Sequence, residues 1–300
     1  MLVHFLYGED DFRFAALGRR LNPQARITAT SHHGQAAFEN VVSNRQHMAT
    51  LDAVIAVGIN QVPYFEGLVG PGRVHYVPHG IHTDFFRPPP SRPFRRGGEK
   101  RCLFVGQWLR DFACLREVIH RVTTRHRHVV FHVITTPNGL QELGPVPGAH
   151  VQTGVSDEAL RAAYQAADML VLPLLDATAN CAILEAMACG LPIVTTDVGG
   201  VRGYVDAQCA LLAAPGNAEE MAANVSSLLA DDARRRRMGI AAREKALKEF
   251  DIRIATEKLR KAHREIMNGP PRNLHTTSAE RDCGSSGESW SHQSPASGRR

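Results

Sequence analysis

The sequence predicts an α/β protein built from two Rossmann-like, doubly wound parallel-sheet domains, the first of them incomplete. Three observations carry this expectation. Short apolar runs alternate with amphipathic helical stretches from the first residues onward. The alternation is interrupted once, by a proline- and glycine-rich segment between residues 82 and 99, and it then restarts and runs further than before. The apolar runs are continuous rather than alternating with polar residues, as expected for strands of a parallel sheet covered on both faces.

In the first half, residues 2–6, 26–29, 53–57 and 74–77 read as strands, and 12–21, 35–47 and 61–69 as helices. Pro88, Pro89, Pro90, Pro93, Gly97 and Gly98 cannot continue a helix or a central strand, so residues 89–100 read as a linker behind a first domain of residues 1–88. In the second domain, residues 101–250, strands are expected at 102–105, 129–135, 169–172 and 193–196, and helices at 113–124, 157–166, 182–188, 218–229 and 232–250. A last helix covers most of residues 251–267. Residues 268–300 are rich in Ser, Gly, Pro and Arg with almost no aliphatic content, so this tail is expected to be disordered. Only four strands precede the linker, against about six in a full unit of this kind, so the first domain lacks its opening βαβ units. That count predicts a fragment or a displaced start.

Composition narrows the partners. The chain has 300 residues, 43% hydrophobic and 22% charged, as in ordinary soluble α/β proteins. The net charge of +5 is dispersed, and its densest run, Arg234 to Arg237, falls on a predicted exposed helix with no aromatic platform beside it. Nucleic acid is therefore not an expected partner, whereas phosphate-bearing small molecules and anionic lipid headgroups stay open. The six cysteines show no C-x-x-C or metal spacing and read as buried thiols of a reducing compartment. The amino terminus has no signal-peptide pattern, and no run of about 18 apolar residues occurs, so a cytoplasmic protein without a transmembrane segment is expected. Peripheral membrane contact stays open.

The segment from Asp168 to Gly200 carries the chemistry: a buried strand, a loop of small polar residues, a helix, a second buried strand and a glycine pair. A loop between a strand's carboxyl end and a helix amino terminus binds phosphorylated ligands, because free backbone N–H groups and the positive helix end face the anion. The loop Asp176-Ala177-Thr178-Ala179-Asn180 is small enough for a diphosphate to approach its backbone. Glu185 lies one and a half turns into the helix, placed either to accept hydrogen bonds from ribose hydroxyls or merely as a carboxylate favoured by the dipole. Gly199-Gly200 by itself reads as a plain turn.

Together these residues resemble the donor-binding motif of glycosyltransferase family 4, of the GT-B fold, in which two Glu separated by seven residues precede A-M-A-C-G-x-P-V-V-x-T-D-x-G-G. Glu185 to Gly190, Pro192 and Thr196 to Gly200 match it. Val77-Pro78-His79-Gly80-Ile81, followed by Phe86-Arg87-Pro88, resembles the family's I-P-N-G-V and F-x-P at the domain junction. Gly154, Ser156 to Glu158 and Ala163 to Asp168 resemble a third motif.

The resemblance covers residues 1 to about 265. It implies a retaining transferase that moves a sugar from a nucleoside-diphosphate sugar in an interdomain cleft to an acceptor that is a saccharide, a lipid or a small metabolite, with no cofactor and no metal. It further implies donor contacts at Gly106, Asn180, Cys181, Ala182 and Glu185 and a catalytic contact at His32, while Arg110 as a donor contact and Asp176 as a catalytic carboxylate are the candidates left where the chain departs from the motif.

Three departures fall on this chemistry. The first Glu of the pair is replaced by Ala177, with Asp176 one residue earlier as a substitute carboxylate. Where the family places an Arg and a Lys on the diphosphate stand Gln107 and Phe112, leaving Arg110 as the cation of that loop, able to grip a phosphate in bidentate fashion; otherwise it is a surface Arg paired with Asp111. The first-domain residues His4 and Thr30-Ser31-His32 resemble the family's D-V-V-H-x-H and T-x-H strand ends. Glu9-Asp10-Asp11, superficially like a metal-binding D-x-D, reads as acceptor-facing or helix-capping. The rival readings are a truncated or degenerate, non-catalytic nucleotide-sugar-binding protein, a dinucleotide oxidoreductase, for which no G-x-G-x-x-G is present, and an epimerase or phosphorylase of the same fold.

Overall fold

The computed structural model describes residues 1–42, 45–91 and 98–269, and the expected disordered tail lies almost wholly outside them. Two parallel sheets form. The first has four strands in the order β1 (Leu2–Phe5), β2 (Arg26–Ser31), β3 (Ala53–Ala56), β4 (Val74–Tyr76). Among them run α1 (Gly8–Asp11), α2 (Ala15–Leu21), α3 (Gln35–Val41) and α4 (Val62–Val69). Successive strand residues face opposite sides. Val3, Phe5, Ile27, Ala29 and Val54 pack with Ala15, Phe38 and Phe65 of the helices. Beneath this layer the buried Arg19 guanidinium holds Asp52 at 2.6 Å and donates to the carbonyl of Ala25.

The second sheet has six parallel strands in the order β10-β9-β8-β5-β6-β7. They are β5 (Lys100–Val105), β6 (Val129–Thr135), β7 (Ala149–Thr153), β8 (Met169–Leu172), β9 (Ile193–Thr196) and β10 (Ala210–Ala213). The helices are α5 (Phe112–Arg125), α6 (Pro137–Leu143), α7 (Asp157–Ala166), α8 (Cys181–Ala188), α9 (Ala218–Ala230) and α10 (Asp232–Lys245). The winding starts at β5, proceeds to β7 on one side, and resumes at β8 on the other. The order therefore reverses between β5 and β8, and the loops leaving these two strands diverge there, opening the crevice in which doubly wound sheets bind ligands. The strand interiors Cys102, Leu103, Phe104, Met169, Leu170 and Val171 are fully enclosed, as the continuous apolar runs require.

Three elements differ from the sequence expectation by absence there. β7 is a half-exposed edge strand with polar residues and α6 begins at a proline with a glycine two residues on, so neither shows the apolar period by which the others are recognised, whereas β10 is a short apolar run that the expected strands do not include. The expected helix 35–47 ends at Val41, and residues Arg45–Thr50 form a separate 3₁₀ stretch. The arginine run is not a uniformly solvated face either. Arg235 is buried, paired with Asp232 at 2.6 Å and donating to the carbonyl of Leu228. The cysteines are also mixed: Cys102, Cys114, Cys189 and Cys209 are buried, Cys181 is exposed, and Cys283 lies outside the described residues.

After α10, a single π turn (Ala246–Phe250) leads to Asp251, which caps α11 (Ile252–Asn268) through the N–H of Arg253 and accepts the hydroxyl of Thr83. α11 returns to the first sheet and covers its second face, with Ala262 against Ile55 and Val77. His263 meets His4 at 3.1 Å, and Arg26 donates to the carbonyl of Gly269 at 2.7 Å. α11 thus ties the second domain to the first. Among the described residues no helix is long and apolar enough to cross a membrane.

Candidate functional site

At the switch point the loops leaving β5 and β8 are zipped together by backbone hydrogen bonds, Asp111 N to Pro173 O (3.1 Å) and Leu175 N to Leu109 O (3.0 Å). The first loop turns at Gly106, whose φ of +102° favours glycine, and Leu109 is the one described non-glycine residue with positive φ. The turn folds Arg110 back over Gly106, where its Nε donates to Val105 O and its Nη1 to Trp108 O, both at 3.0 Å. Asp111 is not its partner, since that carboxylate caps α5 through Cys114 N at 2.8 Å. Burial lowers Arg110 to about 10, which still leaves it cationic at neutral pH. Gln107 is turned away onto the hydroxyl of Thr136.

The loop after β8 leads into α8, whose N-cap is Asn180, its side chain accepting from Ile183 N at 3.2 Å. The first N–H groups of α8, those of Cys181 and Ala182, have no acceptor within the helix and point out of its amino terminus. Glycines explain how the loop holds its shape. Gly200 N donates to Ala177 O at 2.7 Å, and a Cβ on Gly199 or Gly200 would lie 2.0 Å from Ala177 O or 2.3 Å from Thr178 O. The glycine pair is thus a close-packing device for this loop, not a plain turn.

One turn further, Glu185 is half-buried and accepts the hydroxyl of the fully buried Tyr164 at 2.7 Å. Burial pushes its carboxyl up to about 7 against the opposing pull of that hydrogen bond and of Arg110. It is therefore not the exposed, dipole-favoured carboxylate considered above.

The first domain closes directly on this loop. Thr178 donates to His32 O at 2.6 Å, and Tyr204 donates to Val57 O at 2.7 Å while accepting from His79 N at 3.1 Å. A cavity of about 210 Å³ remains between the domains, walled by His32 and His79 on one side and by Arg110, Asp176 and Asn180 on the other. Among the expected site residues, the cavity thus gathers His32, Arg110, Asp176 and Asn180. Gly106 lies under Arg110, and Cys181, Ala182 and Glu185 follow on α8. Asp176 uses one carboxylate oxygen on Ala177 N at 2.8 Å.

His32 rests on the buried Glu9, whose carboxylate accepts His32 N at 3.3 Å. Burial alone would raise Glu9, but its bonds to His32 and the backbone outweigh this and hold it below the ordinary carboxylate value. Glu9 supports the site from beneath. His4, by contrast, is spent on Thr30 and His263. Burial, reinforced by His32, lowers His79 to about 4, so it faces the cavity as a neutral ring with its Nδ1 4.0 Å from the Cys181 sulfur. No group of three or more His, Cys, Asp and Glu side chains among the described residues is placed to hold a metal.

The sequence alone does not assign His79, Tyr204 or the exposed Trp108 to the site, and it marks Thr178 only as part of the loop expected beside a diphosphate. His79 stood in the junction motif and was the one with a usable signal. Tyr204 and Trp108, and the bond of Thr178 to the first domain, are brought in by tertiary contacts that no local pattern records.

Comparison with known proteins follows this geometry. Residues 99–231 match the model of the family described as glycosyl transferases group 1. A curated relative, the MMP alpha-(1->4)-mannosyltransferase of Mycolicibacterium hassiacum, is 30% identical over 193 residues, 61% of this chain and 46% of that protein. The D-inositol 3-phosphate glycosyltransferase of Xylanimonas cellulosilytica is 31% identical over 230 residues, 68% of this chain and 54% of that protein. The second sheet and its helices thus carry the match to the group 1 glycosyl transferases.

The chain spans about half the length of those two relatives. Its fold is that of solved GT-B proteins. Sucrose-phosphate synthase from Thermosynechococcus elongatus superposes with a TM-score of 0.71 at 21% identity, over 88% of this chain and 73% of the other. Anabaena HepE in complex with UDP gives 0.71 at 15% identity, over 88% and 78%.

Proposed function

We propose that the chain is the donor half and part of the acceptor half of a retaining glycosyltransferase that moves a sugar from a nucleoside-diphosphate sugar to an acceptor hydroxyl. The observation that carries this reading is the convergence, on one interdomain cavity, of a half-buried cation at the switch point, the amino terminus of α8, and polar side chains from the first domain. Arg110 and the N–H groups of Cys181 and Ala182 take the diphosphate, where charge develops as the sugar leaves. Glu185 takes the ribose hydroxyls, and Asp176 and His32 face the sugar and the acceptor. The acceptor oxygen forms its bond to the anomeric carbon on the face from which the diphosphate departs, and the hydroxyl proton leaves on the departing phosphate oxygen. No separate base is then needed.

A second reading rests on Ala177, which stands where the resemblance expects a Glu toward the donor sugar. It is a protein that binds the nucleotide sugar without transferring it. UDP is the first nucleotide to test, because HepE is solved with it. At 100 times its dissociation constant a nucleoside diphosphate adds about 2.7 kcal/mol of stability. We expect UDP, GDP or ADP to raise the melting temperature and NAD to leave it unchanged. Release of nucleoside diphosphate from the matching donor sugar in the presence of an alcohol acceptor then selects the transferase, and binding without release selects the second reading. Stabilisation by NAD alone overturns both.

A further inference from the structure

A second cavity, of about 270 Å³, adjoins the first and shares His32, Val57 and His79 with it. It opens between the first sheet and α11, with Ile55, Val77, Ile252, Ala255 and Leu259 in its walls. Leu6 and Tyr7, 62% and 61% exposed, stand at its mouth. No Asp, Glu, Lys or Arg lines it among the described residues.

Its polar groups are mostly consumed internally. His4 bonds Thr30 at 2.8 Å and His263 at 3.1 Å, and the hydroxyl of Thr256 donates to Ile252 O at 2.7 Å. Besides the Tyr7 hydroxyl at the mouth, the shared wall of His32 and His79 offers the polar edges to a ligand. The cavity is thus apolar in depth and polar where it meets the donor site, which is the pattern of a pocket that orients a ligand by one end.

We propose that this second cavity holds the apolar part of the acceptor, making the acceptor an alcohol or glycoside that carries an alkyl or aryl group. Its nucleophilic hydroxyl lies at the shared wall, facing the donor sugar. This rests on the glycosyl-transfer reading for the name acceptor, but the binding chemistry stands on the cavity itself. A phosphorylated polyol is disfavoured here, since its charge would be buried without a cation to meet it. His4 and His79, both lowered to about 4 by burial, supply no positive charge near neutrality.

The test is a homologous series of n-alkyl β-D-glucosides, methyl to octyl, titrated by calorimetry below micellar concentration with UDP present at saturation. Each methylene that enters the cavity should tighten binding about fourfold, corresponding to about 0.8 kcal/mol, until the space is filled. Thr256→Phe, which fills the cavity from α11, should abolish that gain and leave the UDP affinity unchanged. Leu6→Ser, at the exposed mouth where folding is not at stake, should weaken the octyl ligand several-fold and the methyl ligand little. Equal affinity for methyl and octyl glucoside overturns the proposal, as does a chain-length gain that survives in both variants or tighter binding of inositol phosphate than of octyl glucoside. Failure of UDP itself to bind, with the chain-length gain intact, sinks the transferase reading and leaves the apolar site standing.

Discussion

Glu185 is held under two opposing demands: α8 and Tyr164 bury it, while a role toward ribose calls for a charged acceptor. Its carboxyl is raised from 4.5 to about 7, so the folded chain keeps a proton that the unfolded chain has already released. The sign follows directly. The native state is favoured in full below about pH 4.5 and loses that contribution as pH climbs through 7, because over this range the folded form binds more protons. Glu185→Gln keeps an acceptor for the Tyr164 hydroxyl and removes the titration. Its melting temperature should fall less steeply between pH 4.5 and 7 than the parent's, and at pH 8 it should be no less stable. If the carboxylate also holds the ribose, affinity for the nucleoside diphosphate should drop by about 1.5–3 kcal/mol, the range for hydrogen bonds to charged groups. Calorimetry beside a pH series of melts reads both, and a variant that binds as tightly as its parent removes Glu185 from the donor site.

Between strand and helix, the loop after β8 is shaped by what packs behind it. Gly200 has φ of −87°, open to any residue, so only space forbids a side chain there: a Cβ would stand 2.3 Å from Thr178 O. Gly200→Ala should therefore cost about 1–3 kcal/mol by overpacking and displace the loop, with nucleotide affinity falling alongside stability. Unchanged values for both would show that the loop yields freely and is not held by the glycine. At this scale much was legible in advance. The strand cores of β6, β8 and β9 read directly from apolar runs, and the loop-helix unit from Asp168 to Gly200 from its small residues and its glycines. β7 and α6 were not legible, because a polar edge strand and a short proline-started helix lack the buried face that produces a pattern, whereas the apolar run of β10 was open to reading. Arg110 was singled out as the cation left in its loop. That it folds over Gly106 onto two carbonyls, instead of pairing with Asp111, depends on the +56° φ of Leu109 and on the zipping to Leu175, which no spacing announces.

The cavity between the two domains is small for a whole nucleoside-diphosphate sugar, whose ribose end is proposed to lie beyond it at Glu185. Binding sites for small molecules occupy about 300–1,000 Å³, whereas the space beside Arg110 is about 210 Å³. If the proposed nucleoside-diphosphate sugar enters by widening this cleft, the closed arrangement lowers apparent affinity by the fraction of molecules that are open. Three kinds of contact hold it closed: Thr178 to His32 O, the Tyr204 hydroxyl between Val57 and His79, and α11 packed on the first sheet. Thr178 bears on closure most simply, since its hydroxyl spans from the loop of one domain to the strand end of the other. Thr178→Val keeps its shape and deletes that bond, leaving His32 O unpaired unless the cleft opens to water. One such bond is worth about 0.5–1.5 kcal/mol. The open fraction, and with it the association rate of UDP, should rise by about two- to tenfold in stopped-flow measurements, with a smaller change in the dissociation rate. An association rate equal to the parent's would mean that the nucleotide reaches Arg110 without separation of His32 from Thr178, and that closure follows binding instead of gating it.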